Sequence, residues 1–364
     1  MQNGAQMPTA GRRIGVFYVM LTVFLCGLLI GSSWNLGHDK GSRQRNPPLP
    51  PGTAPLGPPQ VWDYNTLPQK LRDFLLHMRC RSYPVLLNQL GACAGKPFLL
   101  LAVKWLVPHL ERRQAIRETR GRAGVVWSRT VVTLFLLGSA ASSHDFPDLR
   151  GVLGHEAQTH RDLLQWDYRD TFFNLTLKDL LFHGRLTLCC PQAQSILKGD
   201  DDVFVNTRRI IEYLEGLSGV QAKDLFIGDV ISGAGPQRDP KLKYFISESV
   251  FVGQYPPYAG GGGYLHSGQL ALRLFNVSAR VILYPIDGVY TGMCLRKLGL
   301  VPQRHVGFKT FGTEKKYRRN PCAHRTLTLV HSRTPGRVFS WLYLTENPFH
   351  MGGSACFVFS VSCY

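Results

Sequence analysis

The sequence predicts an α/β fold with a mainly parallel central sheet, preceded by a transmembrane helix and a Pro-rich stem. Three observations carry this reading. Short apolar runs alternate with helical segments from Lys96 onward, a charge-free apolar run lies near the N-terminus, and a proline cluster separates the two. The chain has 364 residues, 44% hydrophobic and 18% charged, so it can pack a sizeable core and is not disordered throughout. Lys and Arg total 42 against 24 Asp and Glu, a net +18 that suits an anionic partner: nucleic acid, a membrane surface or a phosphorylated substrate.

Residues 1–13 read as a cytosolic tail. Ile14 to Ile30 carries no charge and follows Arg12 and Arg13 directly. A bilayer core needs about 17 to 25 apolar residues, whereas the apolar region of a cleaved signal peptide has only about 7 to 15. With Trp34 as an interfacial anchor, residues 14–34 form a signal-anchor, and the upstream basic pair places everything downstream in the lumen. Residues 35–60, with seven prolines from Pro47 to Pro59, form an extended, semi-rigid stem. Residues 61–364 are the lumenal domain. Eight cysteines lie beyond the anchor, an even number that permits disulfides without fixing their pairing. The sequons at Asn174 and Asn276 fit that compartment.

Within the domain, Pro97 to Val103 and Val131 to Leu137 read as buried strands. Arg112 to Thr119 and Leu175 to Phe182 read as helices, and Gln194 to Leu197 leads into an acidic turn. That turn, Asp200-Asp201-Asp202 before Val203-Phe204-Val205, is the sharpest chemical feature. Three adjacent carboxylates repel unless a cation sits among them, and on extended backbone Asp200 and Asp202 share a face. Mg²⁺ or Mn²⁺ commonly bridges such carboxylates to substrate phosphates. Tyr255 and Tyr258 precede the glycine run 260–263, whose backbone can approach a ligand closely, and the segment 255–264 reads as a loop. Asp287 is an isolated carboxylate among apolar residues. Desolvation would raise its pKa toward that of a general base, although a helix cap is an equal reading. His331 alone reads as structural.

The segments KGDDDVFVN, LFIGDVI, KLKYFI, YPPYAGGGGYL, YPIDGVYTGMCLRKLGLVP and LVHSR, with RRQAIRET and YRDTFFNLTLK upstream, resemble glycosyltransferase family 31. The resemblance implies a GT-A-like nucleotide-sugar-binding fold in a single-pass type II protein of the Golgi membrane. It implies an inverting enzyme that moves N-acetylglucosamine from UDP-GlcNAc to the 3-hydroxyl of a terminal galactose. The acceptor would be an N-acetyllactosamine-type glycan on a glycoprotein or glycolipid, with Mn²⁺ or Mg²⁺ as cofactor. Nucleic acid is not an implied partner, and homo- or hetero-oligomers with other glycosyltransferases are allowed. The resemblance places Asp200, Asp202 and His331 at the metal. Lys104, Arg113, Arg117, Asp200 and Asp201 fall at the donor, and Asp287 at the catalytic base. Tyr255, Tyr258, Gly261, Gly262 and Tyr290 fall at the acceptor. A second acid, expected as the base in close relatives, is Gly288 here, which predicts weakened transfer. The family's usual Trp is replaced by Arg120 and by Arg185, and Trp105 stands where Ser is common. Residues 347–364 do not resemble the family. An inactive paralogue that binds UDP-sugar or partner enzymes, and a β-1,3-galactosyltransferase, are the alternatives.

Overall fold

The computed structural model describes residues 61–89, 91–104, 106–139, 148–313 and 326–331. The tail, anchor and stem expected over 1–60, and the divergent segment 347–364, lie outside the described residues. Among the described residues no helix is long and apolar enough to cross a membrane.

The chain opens with helix α1 (Gln69–His77) and strand β1 (Val85–Leu87), then β2 (Leu99–Lys104) and α2 (Leu110–Glu118). A hairpin of β3 (Gly124–Val126) and β4 (Arg129–Ser139) leads to α3 (Arg150–His160) and β5 (Leu163–Arg169). Helix α4 (Leu175–Cys189), β6 (Ser195–Asp200), β7 (Val203–Val205) and α5 (Thr207–Glu215) follow. The rest is α6 (Gly219–Lys223), β8 (Phe226–Ile231), β9 (Tyr258–Ser267), α7 (Gly268–Ser278) and α8 (Asp287–Lys297), closing with the short strands β10 (Gln303–Arg304), β11 (Phe308–Lys309) and β12 (Leu329–His331).

The main sheet runs β1-β5-β4-β2-β6-β9-β8-β10, with β3 hairpinned onto β4. The inner strands β5, β4, β2 and β6 are parallel, as expected of apolar runs buried on both faces. The sheet is nonetheless mixed, because β9 pairs antiparallel with both β6 and β8. That strand corrects the loop expected over 255–264. The four glycines lack the branched side chains that mark a strand in sequence, yet β9 is buried over most of its length. Glycine is required at 263, where φ is +150° and a Cβ would lie 2.4 Å from the Lys198 carbonyl oxygen. The pairing with β8 slips between Gly228 and Val230, so β9 bulges as it passes the carboxylate turn.

Helix α4 is buried all round from Thr176 to Leu186, which makes it a central helix. Cys93 and Cys190 form a disulfide, with Cα atoms 5.2 Å apart, tying the approach to β2 onto the end of α4. A second, three-stranded sheet orders β11-β12-β7. Its register sets His331 opposite Val203, directly beside the carboxylate turn.

Candidate functional site

The site forms where parallel strands end. In the β2–β6 register Lys104 lies opposite Asp200, both at the carboxyl ends of their strands, where open α/β sheets present ligand crevices. The next residues turn sharply into β7, which aims Asp201 and Asp202 outward. A cavity of about 1310 Å³ spans this edge, lined by Lys104, the three aspartates, the glycine strand, Asp287 and His331. Pockets for one small ligand are typically about 300–1,000 Å³, so this one has room for two substrates.

Opposite charges are packed tightly beneath the cavity. Lys104 Nζ donates to Asp287 Oδ2 at 2.6 Å and lies 2.9 Å from Asp200 Oδ1. Lys198 is bonded to Asp179, lies 3.7 Å from Asp287 Oδ2 and stands over the Tyr264 ring at 4.5 Å. Lys178 Nζ donates to Asp170 Oδ2 at 2.8 Å. Burial opposes ionisation of Asp287 and Asp200, but Lys104 outweighs it and holds both below the ordinary carboxylate range, with Lys198 adding to the effect on Asp287. This reverses the raised pKa expected for Asp287. The carboxylate is ionised but weakly basic, so it can accept a hydrogen bond more readily than it can keep a proton. At Asp179 burial wins and the pKa rises.

The three potential metal ligands converge. Ligand atoms of Asp200, Asp202 and His331 lie within 4.8 Å of one another. His331 Nδ1 donates to the Thr310 carbonyl at 3.1 Å, which turns Nε2 toward Asp202 Oδ1 at 3.2 Å. A carbonyl that fixes one imidazole nitrogen leaves the other free to ligate. Two carboxylates and one imidazole form a donor set compatible with Mn²⁺ or Mg²⁺.

Other expected residues lie apart. Arg113 is fully buried, forked onto Glu156 at 2.7 Å through both Nε and Nη2. Arg117 joins it on Glu156 and on Asp162, one turn along the same helix face. Neither lines the cavity. From the neighbouring face, Arg112 does, and its Nη1 donates to Asp201 Oδ2 at 2.8 Å. Tyr290 is buried with its hydroxyl donating to the Ser278 carbonyl, away from the acceptor position expected for it. Tyr255 and Tyr258 line the cavity with Gly261 and Gly262, although the Tyr255 hydroxyl is already bonded to that of Tyr284. Asn174 is half-buried before α4, while Asn276 is exposed on α7.

Sequence reasoning missed Lys198, Asp179, Lys178 and Arg112. Lys198 interrupts the apolar strand SILKGD, and a lysine there needs a buried partner. Lys178 and Asp179 sit in a helix buried on every side, where the same reasoning applies. Arg112 differs from Arg113 only in helical phase, which sequence does not set.

An acidic turn, an imidazole and ordered lysines thus meet at the carboxyl edge of an α/β sheet, where such sheets present ligand crevices. The family model described as Galactosyltransferase matches residues 111–306. The chain is 58% identical over 275 residues to N-acetyllactosaminide beta-1,3-N-acetylglucosaminyltransferase 2 of Mus musculus, covering 76% of this chain and 69% of the relative. Identity to the Homo sapiens protein of the same name is 56%, with the same coverage. Against N-acetyllactosaminide beta-1,3-N-acetylglucosaminyltransferase 4 of Homo sapiens it is 45% over 286 residues, 77% and 74% of the two chains. The chain belongs to this galactosyltransferase family, glycosyltransferase family 31.

Proposed function

We propose that the chain moves N-acetylglucosamine from UDP-GlcNAc to the 3-hydroxyl of a terminal galactose on an N-acetyllactosamine-type glycan, in a GT-A-like fold. The observation that carries this reading is the convergence of Lys104, Asp200, Asp202, His331 and Asp287 on one cavity. The relatives' names supply the substrate pair. Asp200, Asp202 and His331 would hold Mn²⁺ or Mg²⁺, which when bound neutralises negative charge on a diphosphate leaving group. Asp201, held by Arg112, faces the donor end beside that set. Lys104 keeps Asp200 and Asp287 ionised and fixes their positions before substrate arrives.

Asp287 orients the acceptor hydroxyl, and its low basicity makes proton removal the weak step. General-base catalysis is worth about 10²–10⁴-fold, which sets the deficit relative to a relative with an acid at position 288. The membrane anchor at 14–34, the stem at 35–60 and a Golgi lumenal location belong to the same proposal and are supported by the apolar run and the two sequons. The test is incubation of the full chain in detergent with UDP-GlcNAc, Mn²⁺ and a lactosamine acceptor, with product linkage read by NMR. A new β-1,3-linked N-acetylglucosamine is expected. Absence of product at saturating donor and acceptor would leave the inactive-paralogue reading standing.

A further inference from the structure

Arg120, two residues beyond α2, sits directly behind the carboxylate turn. It is only 5% exposed, and its Nη2 donates to the main-chain carbonyls of Asp200 at 2.9 Å and Asp201 at 3.3 Å. Its own backbone is fixed from two sides. The Thr207 hydroxyl donates to the Arg120 carbonyl at 2.9 Å, and the next residue, Gly121, is bonded through its N–H to Ile116 and through its carbonyl to Thr133. The guanidinium therefore has little freedom to swing away from the turn.

Each of the three carboxylates already has a basic neighbour of its own. Lys104 meets Asp200, Arg112 meets Asp201 and His331 meets Asp202. Arg120 makes no ion pair with any of them, and its Nε has no partner among the described residues. A buried positive charge repels a divalent cation held on the other side of the same turn, and low dielectric strengthens that repulsion.

We propose that Arg120 is a positioning residue whose charge lowers the affinity of the Asp200, Asp202 and His331 set for a free divalent cation, so that the ion is held firmly only together with an anionic diphosphate. This rests on the proposed cation role of those three residues. The test is titration of the full chain in detergent with Mn²⁺ alone, with free Mn²⁺ read by electron paramagnetic resonance. Arg120→Gln removes the charge but keeps a donor for the carbonyls, Arg120→Met removes both, and Arg120→Lys keeps the charge. The expected result is roughly ten-fold tighter Mn²⁺ binding by the Gln and Met variants, with Lys close to wild type. Unchanged or weaker binding by Gln and Met would overturn the inference while leaving the cation reading intact. Wild-type protein that binds no Mn²⁺, with or without UDP, would overturn both. Melting temperatures without cation check the fold, and failure of both Gln and Met variants to fold would assign Arg120 a structural role instead.

Discussion

His183 on α4 and His266 on β9 should make the fold lose stability steeply below neutral pH. Their rings lie 5.6 Å apart in edge-to-face contact, both residues are buried, and neither Nε2 has a partner among the described residues. Burial pushes His183 well below its ordinary value of 6.5 and takes His266 down to about 3. In the folded state both rings stay neutral at pH 5.5, whereas in the unfolded chain each takes up a proton below about 6.5. The unfolded state thus binds more protons, and the stability present above pH 6.5 is lost as pH falls through that value. Between pH 7.5 and 5.5 each such histidine loses RT ln(11/1.1), a little over 1 kcal/mol, so the pair accounts for a loss on the order of 2–3 kcal/mol. Urea unfolding of the full chain at the two pH values, compared with a His183→Leu/His266→Phe variant, measures it. Carboxylates titrate little in this window, and His305 and His331 are common to both proteins, so the difference isolates the pair. A double variant that keeps the wild-type pH dependence would refute the reasoning.

Three further outcomes follow from the charge network. Arg112→Met should raise the donor KM, whereas Arg113→Met should lower stability by about 1–3 kcal/mol, by removing one of the two guanidiniums bonded to Glu156, and leave the donor KM unchanged; steady-state kinetics with thermal melts separate the two. Lys104→Met should both abolish transfer and destabilise the fold by about 1–3 kcal/mol, because it leaves the half-buried Asp200 and Asp287 without their shared cation, as chemical denaturation would register. Gly288→Asp, which adds a second acid beside Asp287, should not give full activity. A Cβ there would stand 2.8 Å from the Ala259 carbonyl oxygen, so β9 must shift to admit it, and a melting temperature below wild type is expected.

The central strands were legible because their residues are apolar without interruption, so β2 and β4 appeared in sequence within a few residues of their ends. The carboxylate turn was legible for the opposite reason, since three adjacent acids between apolar runs have no comfortable place except around a cation. Strand β9 was not, because its glycines suppress every strand signal and only pairing on both sides makes them extended. His331 was unreadable from its own neighbourhood. It reaches Asp202 through the three-stranded sheet, a contact between residues 129 positions apart that no local pattern records. The inverted behaviour of Asp287 had the same origin: its environment is set by Lys104 and Lys198, on two other strands. Helical phase explains the Arg113 error, because one step along α2 exchanges the cavity for the buried Glu156.

The most direct measurement offers UDP-GlcNAc and UDP-galactose together to the full chain and its Asp202→Asn variant, with lactosamine and Mn²⁺, and weighs the product by mass spectrometry. Slow addition of N-acetylglucosamine by wild type and none by the variant is the expected result. Addition of galactose instead, or equal transfer by the Asp202→Asn protein, would contradict it.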